Sequence, residues 1–280
     1  METNSSLINE EFFREYTSAD AIAKYSRATA GSGISYLLDH DYKDVYLQAL
    51  SLLPTDTLSQ GIRVLEFGCG AGMNLVHLVA MMRQRGINVA AAVGTDFSPV
   101  LVGKARDEAR NYLSPTDLDT IKFHVANNET LLADLAVALE RSKETLKNSF
   151  HFILGVNTIR YSHAAKKQAN TARDIFNLLA PGGVCVVIDM NNRFPLFRSD
   201  IRNSLRWNKV EQCYVPSLEE YAAPFAETGF ELLRREHFCW IPHSAGGLRL
   251  GVMKAFSPIL NVVAKSRAMR SLVIARKPVT

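Results

Sequence analysis

Short apolar runs alternate with helical patterns through the middle of the chain. The runs predict five β-strands, at 62–67, 89–95, 121–125, 150–156 and 184–189. Apolar residues at helical spacing predict helices between them, at 74–85, from Ser98 onwards, at 129–147 and at 170–179. Near-continuous apolar strands that alternate with helices are typical of a parallel sheet covered on both faces. The pattern therefore predicts an α/β fold with one core.

The segments on either side of this region extend the prediction. Near the N-terminus, apolar spacing predicts helices over 10–28 and 34–53. These helices either pack on the domain or close over its ligand as a lid, and the sequence favours neither. Later segments are predicted as a helix, a strand, an amphipathic stretch and a last strand, at 217–228, 230–241, 248–264 and 271–276. For 248–264, a helix packed on the sheet is favoured over a helix lying on a membrane.

A glycine-rich turn follows the first strand, in Val64-Leu65-Glu66-Phe67-Gly68-Cys69-Gly70-Ala71-Gly72-Met73-Asn74. In an open parallel sheet, ligands bind beyond the carboxyl ends of the strands, where this turn lies. The helix that follows offers unpaired amides to an anion, and glycines let a ligand approach the backbone. A dinucleotide site requires glycines spaced G-x-G-x-x-G, whereas Met73 occupies the third position of that pattern. The spacing therefore disfavours NAD.

The segment Glu66-Phe67-Gly68-Cys69-Gly70-Ala71-Gly72 resembles the first motif of class I S-adenosylmethionine-dependent methyltransferases of the small-molecule type. The resemblance covers about 62–189 and extends more weakly to the C-terminus. It implies a Rossmann-like, doubly wound sheet of seven strands, mostly parallel with an antiparallel last strand. It also implies S-adenosylmethionine as the cofactor, with S-adenosylhomocysteine as its product. In this interpretation, 1–57 is an N-terminal helical lid and 58–280 is the methyltransferase domain, with a cap insertion at about 190–216.

The resemblance also implies which residues bind the cofactor. Asp96, which ends the second strand, stands where the family holds the ribose hydroxyls, and this role is favoured over capping of the next helix. Asn127 or Asn128 stands where the family has an acid that meets the adenine amine, and an N-cap role for Asn128 fits equally well. The other residues assigned to the cofactor are Tyr25, Glu66, Gly68, Cys69, Gly70, Gly72, Asn74, Phe97, Asn157 and Thr158.

The predicted reaction is methyl transfer to an oxygen, nitrogen or carbon atom of a small organic metabolite. Alignment of donor and acceptor alone can lower such a barrier by about 7–11 kcal/mol. His163 is the first candidate for a general base, although a lone histidine is more often a surface residue. The candidate acceptor-binding residues are Tyr161, Asn191, Arg193, Tyr214, Trp240 and His243. The alternative function uses the bound cofactor in a non-methylating cyclisation or rearrangement, or in ligand sensing.

Composition and charge indicate which classes of partner are expected. The net charge is +4 over 280 residues, without a long Lys/Arg block, which gives no support to nucleic-acid binding and suits a small-molecule substrate. The four cysteines form neither a CxxC pair nor a zinc spacing, so we expect free thiols in a cytoplasmic protein. Metal-dependent catechol-type enzymes place acids after both the fourth and the fifth strands. Only Asp189 is available in this chain, so no metal is expected.

Two further predictions concern membrane association and oligomeric state. No apolar run approaches the roughly 20 residues that span a bilayer, and we expect no stable membrane association. Both a monomer and a homodimer are compatible with the sequence.

Overall fold

A seven-stranded sheet lies at the centre of the computed structural model, which describes residues 31–195 and 215–279. Its strands are β1 (Ile62–Phe67), β2 (Val89–Asp96), β3 (Ile121–Val125), β4 (Phe150–Val156), β5 (Leu179–Met190), β6 (Glu231–Phe238) and β7 (Arg270–Arg276). Their order is β3-β2-β1-β4-β5-β7-β6. Strands β1 to β5 are parallel, whereas β7 is antiparallel to β5 and β6. The predicted Rossmann-like sheet with an antiparallel last strand is confirmed.

Helices connect the strands. They are α1 (Gly33–Tyr36), α2 (Tyr42–Leu50), α3 (Thr55–Gln60), α4 (Met73–Gln84), α5 (Pro99–Tyr112), α6 (Pro115–Thr120), α7 (Leu131–Ala138), α8 (Lys143–Leu146), α9 (Ile159–Ala164), α10 (Gln168–Leu178), α11 (Leu218–Thr228) and α12 (Gly247–Val263). Short 3-10 turns lie at Asn128–Thr130 and Lys265–Arg267, and a π-helical turn lies at Leu37–Asp41.

Apolar side chains fill both faces of the sheet. One face packs against α2, α4 and α5, whose buried residues include Tyr46, Leu78 and Ala105. The opposite face packs against α7, α10 and α11, with Leu135 and Phe225 among the buried residues. Because helices cover both faces, ligand-binding groups are left to the loops at the strand ends.

Two helices predicted as continuous are interrupted. The predicted 34–53 helix is divided into α1, the π-helical turn and α2. The predicted 129–147 helix consists of a 3-10 turn, α7 and α8. Glu140, between α7 and α8, has φ +53°, the left-handed conformation that ends a helix.

Two strand ends also differ from the prediction. β5 begins at Leu179 rather than at residue 184, and its pairing with β4 shifts register between Phe150 and Phe152. β6 ends at Phe238 rather than at residue 241. Cys239, which follows it, has φ +64°, and this turns the chain out of the extended conformation.

The predicted amphipathic stretch 248–264 is a helix, α12, but its expected packing on the sheet is wrong. Only Leu250 and Ser257 are buried among its 17 residues. Exposed apolar residues include Phe256, at 56%, and Val262, at 83%. The helix carries apolar residues on all of its sides, and only one narrow stripe of it contacts the domain. Within residues 31–195 and 215–279, no helix is long and apolar enough to cross a membrane.

The N-terminal helices contact the domain through buried side chains and through the backbone. Tyr46 and Ala49 of α2 are fully buried in the core. The Gly33 amide donates to the Ala245 carbonyl at 2.7 Å, just before α12. The predicted 10–28 helix, with Tyr25, and most of the predicted cap insertion, with Tyr214, lie outside the described residues.

Candidate active site

The glycine turn joins β1 to α4 through three glycines in the left-handed region, Gly68, Gly70 and Gly72, with φ +62°, +53° and +82°. A Cβ at Gly68 would lie 2.2 Å from Thr158 Oγ1, and one at Gly72 would lie 2.8 Å from Ala105 Cβ. A Cβ at Gly70 would meet nothing within 4 Å. Gly68 and Gly72 therefore serve close packing, whereas Gly70 leaves its backbone open to a ligand.

Glu66 lies beneath the turn as a buried carboxyl group. Its Oε2 accepts a hydrogen bond from the Leu75 amide in the first turn of α4, at 3.0 Å. No hydrogen bond to Oε1 is found among the described residues. Burial raises the pKa of Glu66 well above its ordinary value, against the opposing effect of the Leu75 amide. Asn74, beside it, accepts from the Tyr46 hydroxyl at 3.2 Å, which connects α2 to the turn.

Asp96 ends β2 and bonds directly to the glycine turn. Its Oδ2 accepts from the Gly70 amide and its Oδ1 from the Ser98 amide, both at 2.9 Å. Burial raises the pKa of Asp96, while these two amides lower it. The N-cap of α5 is Ser98, whose hydroxyl accepts from the Leu101 amide. Each carboxylate oxygen has a second lone pair, so the group can also accept from a ribose hydroxyl.

The two asparagines after β3 have different partners. Asn127 is the cap residue, because its side chain accepts from the Glu129 amide at 2.9 Å. Asn128 instead donates to Thr158 Oγ1 at 2.6 Å, and its buried Oδ1 has no partner among the described residues. Thr158 is also the side chain against Gly68. Asn128 is thus the asparagine held beside the glycine turn.

Three other residues assigned to the cofactor lie near this turn or beyond β4. Cys69 is buried, and burial raises the pKa of its thiol well above the ordinary value, so it is not a reactive thiolate. Phe97 packs with Ala71 and is half-buried. Asn157 follows β4 with φ +56°, and its amide donates to the Ile188 carbonyl at 2.7 Å.

His163 lies in α9, where it is mostly buried. Its ring packs edge-on against Tyr221 of α11, with ring centroids 5.5 Å apart. Burial lowers its pKa below the ordinary value, although Asp189 and Glu220 oppose this shift. Its Nε2 has no hydrogen-bond partner in the described part of the chain. A neutral imidazole can accept a proton, and the general-base role stays a prediction.

Two of the predicted acceptor residues, Asn191 and Trp240, have different surroundings. Asn191 is fully buried, donates to the Ser266 and Ala268 carbonyls and accepts from the Arg193 amide, so it holds the end of β5 in place. Trp240 lies in a different environment. It lines an apolar cavity with Phe194, Pro195, Val252, Met253, Phe256 and Leu260.

Two buried arginines could not be identified from the sequence pattern. Arg160 forms a buried ion pair with Asp189, Nη1 to Oδ1 at 3.0 Å, and also donates to the Tyr161 hydroxyl. Arg270 donates to Asn157 Oδ1, and its Nη2 lies 3.1 Å from His243 Nδ1. For Arg270, the one available signal was the position of a charged residue next to the apolar run of the last strand.

No set of three or more metal-ligating side chains is grouped closely enough to hold an ion in the ranges 31–195 and 215–279. The prediction that no metal is used stays a prediction. The residues around the turn do fit S-adenosylmethionine. Gly70 is open, Asp96 offers two oxygens, and the Glu66 and Asn128 oxygens supply further buried acceptors.

Comparisons with known proteins identify the family and the fold. Residues 38–235 match the methyltransferase-domain family. A non-reducing polyketide synthase of Penicillium shearii is 27% identical over 139 residues, which are 50% of this chain and 5% of that protein. The citrinin polyketide synthase of Monascus ruber is 27% identical over 134 residues, 48% of this chain and 4% of that protein. The chain thus spans a small fraction of these relatives.

Solved structures share the fold. The CurJ carbon methyltransferase has a TM-score of 0.58 and 14% identity, covering 95% of this chain and 61% of that one. The methyltransferase domain of citrinin polyketide synthase has a TM-score of 0.50 and 21% identity, covering 79% and 47%. These likenesses show the fold alone. The family match covers more than half of the chain, and with the sheet and glycine turn it makes this protein a class I S-adenosylmethionine-dependent methyltransferase of the methyltransferase-domain family.

Proposed function

We propose that this enzyme methylates a carbon, oxygen or nitrogen atom of a small organic acceptor, and that an enolisable carbon of a β-ketoacyl group is the first acceptor to test. The observation that carries the proposal is the contact between Asp96 and the open glycine turn. Asp96 Oδ2 accepts from the Gly70 amide at 2.9 Å, and the space beside Gly70 is free. A carboxylate beside open backbone suits the ribose of a nucleoside-type methyl donor.

The choice of carbon rests on similarity to other proteins. The curated relatives are polyketide synthases, and one structural neighbour is a carbon methyltransferase. Because those sequence matches cover about half of this chain and a small part of each relative, oxygen and nitrogen acceptors belong in the same test.

When bound, the donor would supply a methyl group from its positively charged sulfur, which would keep the bonding pair, and Asp96 and the Gly70 backbone would hold it. The acceptor provides the electron pair of the new bond, and its proton passes to a base or to solvent. His163 is the proposed base, because its lowered pKa keeps the imidazole unprotonated near neutral pH. Alignment and exclusion of water are then the main tasks of the protein.

We extend the proposal to the surroundings of the site. Residues 1–57 are proposed to cover it, and the hydrogen bond from the Tyr46 hydroxyl to Asn74 supports this by holding α2 against the start of α4. Tyr161, Arg193, Trp240 and His243 are proposed to line the acceptor space. A cytoplasmic location, a small-molecule substrate and no nucleic-acid partner are part of the same proposal.

Calorimetry and mass spectrometry test the two halves of this function separately. Calorimetry with S-adenosylhomocysteine should show binding to the wild type and much weaker binding to Asp96→Ala. Arg110→Ala is a matched control, because Arg110 is exposed on α5 and pairs with Asp107 in the same helix. Methyl transfer is then measured as a mass gain over β-ketoacyl thioesters, phenols and amines. Cofactor binding with no methyl gain on any acceptor would instead favour the cyclisation or sensing function.

A further inference from the structure

Arg270 places a positive charge inside the protein next to the proposed acceptor space. It is the first residue of β7, and its side chain is 1% exposed. It pairs with Met190 at the end of β5 and with Phe238 at the end of β6. A guanidinium group stays protonated in proteins, so burial does not remove this charge.

The partners of Arg270 are neutral. Nη1 donates to the amide oxygen of Asn157, and Nη2 lies 3.1 Å from His243 Nδ1. Arginine has no acceptor, so Nδ1 must be the unprotonated nitrogen of that ring. The Tyr42 hydroxyl also contacts the guanidinium, and burial raises the pKa of Tyr42 to about 12, which keeps it neutral. Nε of Arg270 has no hydrogen-bond partner among the described residues.

No carboxylate of the described residues forms an ion pair with Arg270. Asp189, on the neighbouring strand, is bound to Arg160 Nη1 at 3.0 Å. Asp41 contacts Cys239, and burial raises its pKa, which favours its neutral form. A buried cation whose partners are all neutral is unfavourable, and an anionic ligand would supply the missing charge.

The position of Arg270 indicates whether the methyl donor or the acceptor would supply that anion. Asp96 lies on β2, on one side of β1, and marks the proposed nucleoside side. Asn157 lies at the end of β4, on the other side of β1. Its neighbour Thr158 contacts Gly68, so the guanidinium is held on the β4 side of the glycine turn. Arg270 is thus on the side opposite to the proposed nucleoside.

We propose that Arg270, positioned by Asn157 and His243, binds a negatively charged oxygen of the acceptor, either a carboxylate or an enolate next to the atom that is methylated. This inference rests on the proposed function and names the acceptor class. For an enolate, the carbon loses its proton to a base and the C–H pair moves towards oxygen, beside Arg270. The same pair then forms the bond to the methyl group, and Arg270 neither gains nor loses a proton.

Calorimetry on the complex with S-adenosylhomocysteine tests the site without turnover. The probes are acetoacetate and its neutral methyl ester. The wild type should bind acetoacetate at least tenfold more tightly than the ester, and Arg270→Gln should lose that preference. Arg270→Lys should keep part of it, and Arg267→Gln, an exposed arginine in the preceding turn, should keep all of it. No preference in the wild type, or an unchanged preference in Arg270→Gln, rules out the carboxylate, and the proposal is overturned if the turnover test of the enolate also fails.

Cofactor affinity and turnover of an uncharged acceptor test the role of Arg270 further. Binding of S-adenosylhomocysteine should change less than threefold in Arg270→Gln; a tenfold loss would mean that Arg270 binds the cofactor, which overturns the acceptor assignment. If Arg270→Gln does not fold by circular dichroism, the comparison is made with Arg270→Lys and the wild type. Turnover of acetoacetyl-N-acetylcysteamine, which has no carboxylate, tests the enolate. It should fall at least a hundredfold in the variant, and equal turnover by variant and wild type would leave the carboxylate as the bound group.

The proposed function and the anion site fail in different ways. If no acceptor gains a methyl group but the wild type prefers acetoacetate in an Arg270-dependent manner, the methyl-transfer proposal fails and the anion site stands. If methyl transfer occurs but neither an anion preference nor an Arg270-dependent turnover is found, the anion site fails alone.

Discussion

Alanine at Gly68 and at Gly70 should damage the protein in different ways, although both glycines have similar backbone conformations. Their φ values are +62° and +53°, so alanine is strained at either position. The surroundings differ. A Cβ at Gly68 would overlap Thr158 Oγ1 at 2.2 Å and Thr158 Cβ at 2.7 Å, whereas a Cβ at Gly70 has no neighbour within 4 Å.

The magnitudes follow from these contacts. The left-handed conformation costs alanine about 1–2 kcal/mol at each position. At Gly68, the overlap with Thr158 adds about 1–3 kcal/mol of overpacking and disturbs the Asn128 hydrogen bond. Gly68→Ala should therefore lose about 2–5 kcal/mol of unfolding free energy, and Gly70→Ala about 1–2 kcal/mol. Gly70→Ala should instead weaken S-adenosylhomocysteine binding at least tenfold, or about 1.4 kcal/mol, because its methyl group occupies the ligand's approach.

Urea unfolding followed by circular dichroism measures the first effect, and calorimetry with S-adenosylhomocysteine measures the second. Each variant is the control for the other, because both carry the same added methyl group at the same kind of φ. Equal destabilisation of the two proteins would refute the packing argument at Gly68. Wild-type affinity in Gly70→Ala would refute the assignment of the open glycine to the ligand.

Three other substitutions test the site. Asp96→Asn should raise the dissociation constant for S-adenosylhomocysteine roughly 10- to 150-fold, since a hydrogen bond to a charged group contributes about 1.5–3 kcal/mol, and unchanged calorimetry would remove Asp96 from the cofactor site. Burial raises the pKa of Glu66 above its ordinary 4.5, so stability present at low pH is lost as pH rises through the folded-state pKa. Glu66→Gln should therefore gain melting temperature over the wild type by a margin that grows from about pH 5 to pH 8, and a constant margin would contradict this. His163→Gln should slow methyl transfer about 10²- to 10⁴-fold. Burial lowers the pKa of this imidazole from 6.5, so the wild type should lose activity below pH 6.5 and the variant should not. An unchanged rate and pH profile would exclude the base role.

Elements whose cause is local could be predicted from the sequence. Strands β1 to β4 begin and end within about one residue of their predicted bounds, since continuous apolar runs are cut off by polar residues and glycines. The glycine turn was equally accessible, because its spacing fixes the backbone locally. The interruption at Glu140 was missed, since a left-handed residue other than glycine leaves no clear sequence signal.

Contacts between distant residues could not be predicted in the same way. Arg270 meets Asn157, 113 residues away along the chain, because β7 inserts next to β5 and presents its first residue at the end of β4. The position of β7 has a second consequence. Asn191, which was predicted to bind the methyl acceptor, donates instead to two backbone carbonyls near β7. The exposure of α12 likewise depends on which of its faces meets the domain.

The α/β alternation, the glycine spacing that disfavours a dinucleotide, the resemblance that implies the cofactor, and the acid at the end of β2 were all readable in the sequence. These features depend on neighbouring residues, whose periodicity and spacing are visible in the chain. The tertiary structure alone decided which side chains are buried without a compensating charge. Glu66 and Arg270 acquire their chemistry only when distant strands and helices remove water around them, because the cost of a buried charge is set by everything that surrounds it.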